Sequence, residues 1–167
     1  FNASGGFGNI HPGEDPDLSI RLKAIGYKLS LIPQAFVYHK RRLSLDSFFV
    51  QVYKFGQVRP ILNKWHPQSK KIAYWFPLVF VLGLVLSLSL LIFNFKLGLY
   101  IYSVYFLIVF VSALNSTVDI IASILCLPVV IIQFFGYGIG FAKSTIKLKL
   151  SNKPEPLLFP KLFFKIT

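Results

Sequence analysis

The chain has no methionine, one cysteine and six acidic residues among 167. Each shortage excludes something. The lone Cys126 builds neither a disulfide framework nor a zinc site, and its apolar neighbours mark it as a small buried hydrophobe. With no methionine there is no initiator residue. Phe1 stands in mid-pattern without the basic n-region of a signal peptide. The sequence is therefore expected to be the C-terminal piece of a longer protein, with a mature processed chain as the alternative.

Charge is missing from the middle. Residues 72–142 carry only Lys96 and Asp119, whereas residues 1–71 hold eleven Lys/Arg and residues 143–167 hold six Lys. The whole is 54% hydrophobic with mean hydropathy +0.62 and net charge +12. Such a composition points to an integral membrane protein. Basic flanks beside apolar runs mark the cytoplasmic face and anionic lipid, so a nucleic-acid partner is not expected. A transporter is also disfavoured, because no apolar run holds an ionisable residue apart from Asp119 near an end.

Three apolar runs fit membrane spans, at 72–93, 97–114 and 120–142. The first is flanked by Lys70, Lys71 and Trp75, and the third is interrupted by Pro128, Gly136, Gly138 and Gly140. Together they define a transmembrane region at 67–142, followed by a basic, membrane-proximal tail at 143–167, expected to be extended at the membrane surface. Three full spans would put that lysine-rich tail on the side opposite the basic head, against the positive-inside tendency. A re-entrant third segment is the alternative.

Three of the six acids gather in one place. "GGFGNIHPGEDPDL" puts Glu14, Asp15, Asp17 and His11 in a glycine-rich loop before a helix. Pro16 suits the first helical position, which makes Asp15 the expected N-cap. Leu18, Leu22 and Ile25 form one apolar face, and Gly26 ends the helix. One cap needs one carboxylate. The extra acids suggest a site where charge acts as a base, or organises a cation or sugar hydroxyls. His11 and His66 have no supporting context and are read as loop residues. Beyond Gly26, "YKLSLIPQAFVYH" alternates in part and reads as two short strands, or as one broken at Pro33. Ser44 is placed to cap a helix from about 45 to 59 with an aromatic face, weakened near Gly56 and Pro60.

The order of these features resembles a known family. A Gly5-Gly6-Phe7 loop is followed by Gly13-Glu14-Asp15, Asp17-Leu18, Ser19-Ile20-Arg21, Gly26-Tyr27 and Val37-Tyr38-His39-Lys40-Arg41-Arg42. Over about residues 3–66 this resembles the C-terminal half of the catalytic domain of family 2 glycosyltransferases, the inverting GT-A type. The resemblance implies an α/β fold, a partial GT-A domain with an interfacial helix over 1–66, followed by an all-α region of about three transmembrane helices. It implies Asp15 as catalytic base and Glu14 as the acid that shapes the acceptor site. Gly5, Gly6 and Phe7 would lie near donor sugar and acceptor. His39 would contact a metal or the diphosphate, with Arg41 beside it. Gln51 begins a loose analogue of the Gln-x-x-Arg-Trp motif of processive members. Lys54 and Phe55 replace its Arg and Trp, which disfavours polymer synthesis.

The implied partners are a nucleotide-sugar donor, a glycan or lipid-linked acceptor and membrane lipid. The implied cofactor is a divalent cation, Mg or Mn, held mostly by residues outside this chain. The family's Asp-x-Asp motif and nucleotide-binding strands are absent from residues 1–167, so this piece alone is expected to be inactive. The expected site is a bacterial cytoplasmic membrane, with the catalytic part facing the cytoplasm. The alternative reading is a non-enzymatic membrane scaffold subunit of an envelope or polysaccharide assembly complex.

Overall fold

A computed structural model describes residues 1–38 and 44–164. Six α-helices follow one another: α1 (Glu14–Ala24), α2 (Leu45–Trp65), α3 (Phe76–Ser89), α4 (Leu97–Thr117), α5 (Ile120–Leu150) and α6 (Glu155–Leu158). Short 3-10 turns lie between them.

The described residues contain no strand, which overturns the expected α/β fold. Residues 27–38 are irregular chain with one turn, and Leu31, Val37 and Tyr38 are almost fully exposed. Alternation makes a strand only where a neighbouring strand completes the backbone hydrogen bonds. No other described segment offers that edge, so the pattern forms no sheet.

Local chemistry sets the helix ends. At the end of α1, Gly26 adopts φ +92°; its N–H donates to Lys23 O, and Tyr27 N–H donates to Leu22 O. That pair of bonds is a Schellman motif, as the glycine led one to expect. The start of α1 differs from expectation. Gly13 occupies the N-cap with φ +129°, no side chain caps the helix, and Asp15 lies inside the first turn. In α2, Ser44 accepts from Ser47 N–H at 3.3 Å, and the helix continues through Gly56 and Pro60 to Trp65.

Tertiary packing explains that persistence. A Cβ on Gly56 would collide with the Tyr137 carbonyl of α5, and one on Gly140 with the Tyr53 carbonyl of α2. The glycines that look like helix breakers are the points where α2 and α5 touch backbone to backbone. α3 and α4 form an antiparallel hairpin in which Tyr102 donates to Phe80 O at 2.6 Å. The segments Ile72–Phe93, Leu97–Thr117 and Ile120–Leu150 are each long and apolar enough to cross a membrane.

A buried core joins the head to the tail. Ile10 joins Val58, Ile61 and Leu62 of α2, and Phe159 and Leu162 of the tail close over them. His11 N–H donates to Leu162 O at 2.7 Å, and Phe164 N–H to Asn9 Oδ1 at 3.0 Å. Lys64 Nζ meets Glu155 Oε1 at 2.6 Å. Rather than lying extended along the membrane surface, the tail folds back onto the head.

Candidate active site

The glycine-rich loop is held by the third acid of "GEDPD". Asp17 is buried at 4% exposure. Its Oδ2 accepts from Arg21 Nε at 3.0 Å and from Nη2 at 2.7 Å. Its Oδ1 lies 2.7 Å from His66 Nε2. Arg21 then donates from Nη2 to Gly6 O at 2.6 Å and from Nη1 to Ser4 O. One carboxylate thus joins the loop, the first turn of α1 and the C-cap of α2. The Asp17–Arg21 contact is readable as an i,i+4 pair. His66 is 49 positions away, and no local signal in the sequence announces it.

The other two acids face a cavity of about 970 Å³ between the α1 N-terminus and α2. Glu14 and Asp15 line it, opposite Ser47, Gln51, Lys54 and Arg59 of α2. Glu14 Oε1 lies 2.8 Å from His11 Nδ1, while Oε2 has no hydrogen-bond partner. Burial pushes the Glu14 carboxyl up. The backbone N–H groups of Glu14 and Gly13 and the His11 imidazole outweigh it, holding the group below its usual 4.5. Asp15 is exposed. It makes no side-chain hydrogen bond or ion pair among the described residues, so its carboxylate is not consumed by capping.

The fold therefore brings Glu14, Asp15 and Gln51 to one cavity. Gly5, Gly6 and Phe7 stand elsewhere in the loop. The two glycines have φ +74° and +71°, and Phe7 packs edge-on against Phe1. His39 and Arg41 lie outside the described residues. Among the described residues no group of three His, Cys, Asp or Glu could hold a metal ion.

A smaller cavity of about 400 Å³ shares Phe55, Arg59 and Tyr137 with the first. It reaches Ala73 and Pro77 at the start of the first apolar segment, and Gln133 in α5. Arg59 stands at the junction, its guanidinium 4.2 Å from the centre of the Tyr74 ring. It has no carboxylate partner among the described residues.

A family model described as "Glycosyl transferase family group 2" matches residues 1–135. The chain belongs to this family. The match runs through the loop, the carboxylate cavity, α2 and most of the apolar helices, so the glycosyl transferase assignment covers site and membrane region together. No curated protein and no solved structure matches the chain. Family membership and three span-length apolar helices make it a membrane glycosyl transferase.

Proposed function

We propose that the chain serves an inverting transfer of a sugar from a nucleotide-sugar donor to a hydroxyl of a lipid-linked or cell-surface glycan. Asp15 is the base. Its carboxylate takes the proton of the acceptor hydroxyl while that oxygen bonds to the anomeric carbon. The bond from that carbon to the diphosphate breaks on the opposite face, and the nucleoside diphosphate departs with the electron pair. A sugar hydroxyl is a poor nucleophile, and a positioned carboxylate lowers its barrier. Glu14 helps to position the acceptor, with the unpartnered Oε2 as the acceptor for one of its hydroxyls.

The observation that carries this reading is the exposed, uncommitted Asp15 on the wall of a cavity large enough for sugars, facing Gln51 and Lys54. The scaffold alternative leaves that carboxylate without work. A lipid-linked acceptor is favoured over a free one because the second cavity leads from Arg59 towards the apolar segments. The basic flanks favour placing the site on the cytoplasmic face of a bacterial membrane.

The test is an assay of the full-length protein in membranes with a panel of labelled nucleotide sugars. Label should pass into lipid-extractable glycan with inverted anomeric configuration. Retained configuration would reject the mechanism, and a failure of any donor to transfer would favour the scaffold.

A further inference from the structure

Residues 9–11 and 58–65 pack against residues 148–164. Ile10, Ile61 and Leu62 share a buried core with Phe159 and Leu162. Two backbone-donated hydrogen bonds and the Lys64–Glu155 pair cross the same seam. A hydrocarbon layer of about 30 Å cannot pass between groups in contact. Head and tail therefore share one side of the membrane. The chain between them must cross an even number of times, yet it carries three helices of spanning length.

The contacts identify the helix that does not cross. α3 and α4 pair from Ser87 with Gly98 to Phe80 with Tyr105 and Phe106. That hairpin leaves the head side and returns to it. The named contacts of α5 with α3 all fall at its head-side start. Phe134 packs on Phe76 and Phe80, Gly138 on Pro77 and Leu78, and Phe141 on Trp75 just before α3. Its contacts with α4 involve Tyr105, which packs on Phe80 near the head-side start of α3, and Thr117 at the C-terminal end of α4. Past that point α5 lies along α2.

We infer that α5 does not cross the bilayer: it lies in the leaflet on the catalytic side, between the α3–α4 hairpin and α2, and the tail stays on that side. The partner of its uncovered face is lipid hydrocarbon. Ile120, Ile121, Ile124, Leu125, Ile131, Ile139 and Ile146 are all exposed. At 3.6 residues per turn they fall within an arc of about 140°. Gly136, Gly140, Phe141 and Ser144 are buried outside that arc, and Gly138, within it, is covered by Pro77 and Leu78. Both ends of α5 are polar, with Asp119 at the start and Lys143, Lys147 and Lys149 near the finish. This suits a helix whose two ends stay near one membrane surface. The arrangement also removes the charge conflict, since head and tail lysines then share a face. It rests on the fold alone, not on the proposed chemistry.

Single cysteines in a Cys126→Ser background of the full-length protein test it, using a membrane-impermeant maleimide on intact cells and on inverted vesicles. Ser30→Cys, Ser116→Cys and Asn152→Cys should label from one side, and Phe95→Cys from the other. Labelling of Asn152→Cys from the side of Phe95→Cys would show that α5 crosses and overturn the inference. Labelling of Phe95→Cys with the rest would overturn the hairpin. Spin labels at Ile120, Ile124, Ile131 and Ile139 give a second readout. Similar depths in one leaflet are expected, whereas depths that pass through the bilayer centre would contradict it.

Discussion

Asp17 Oδ1 and His66 Nε2 lie 2.7 Å apart, joining the first turn of α1 to the residue that closes α2. Because Arg21 binds the same carboxylate and two loop carbonyls, the contact fixes the loop that leads to Glu14 and Asp15. Asp17→Ala would strand the Arg21 charge in a half-buried site. Removing one partner of a buried pair costs about 3–5 kcal/mol. The expected result is a large fall in thermal midpoint for the solubilised full-length protein. A midpoint within a degree or so of wild type would show that the cluster carries no stability.

Glu14 gives a pH signature. Its folded pKa lies below the usual 4.5, so its stabilisation is complete above that value and is lost as pH falls through the folded pKa. Glu155, held down beside Lys64 despite its burial, acts in the same direction. Thermal unfolding from about pH 6 to about pH 3 should therefore show a stability loss on the acid limb that is smaller in Glu14→Gln than in wild type. Parallel curves would remove Glu14 from the account.

The backbone contact between α2 and α5 predicts a steric penalty. Gly140→Ala places a methyl against the Tyr53 carbonyl, which has no flexible side chain to yield. Overpacking of this kind costs about 1–3 kcal/mol. Unfolding midpoints should show Gly140→Ala to be destabilising although alanine is the better helix former. A neutral or stabilised variant would mean that the two helices sit farther apart.

A substitution at Arg59 tests the proposed lipid-linked acceptor. Its guanidinium stacks on Tyr74 and contacts the Tyr137 hydroxyl, but it has no carboxylate partner among the described residues, which leaves its charge available to an anionic group in the second cavity. Losing a charge-assisted hydrogen bond of about 1.5–3 kcal/mol corresponds to roughly 10–100-fold in binding. Arg59→Gln should raise KM for a lipid-phosphate-linked acceptor by that factor and leave a water-soluble acceptor analogue nearly unchanged. Equal effects on both would assign Arg59 to the sugar site or to packing.

Local features were legible in the sequence where local physics decides them. Gly26 ends α1, Ser44 begins α2, and the uncharged runs form the apolar helices. Features that depend on a distant partner were not. The alternation over residues 27–38 needs a neighbouring strand and finds none among the described residues. Gly56 and Pro60 promised a break, but at Gly56 the helix meets α5 backbone to backbone, and it runs on. Asp15 was expected to cap α1; with Gly13 at the cap, its carboxylate is released to the cavity. His66 acquires a role only when the fold brings it to Asp17. The folding of the tail onto Ile10 and Leu62 has no local signature at all.

The most direct test of the account is Asp15→Asn in the full-length protein, followed by release of nucleoside diphosphate from the active donor. An amide cannot accept the acceptor's proton, and Asp15 makes no described contact whose loss would unfold the loop. The account predicts a fall in kcat of about 10²–10⁴-fold with an unchanged thermal midpoint. Turnover near that of wild type would contradict it.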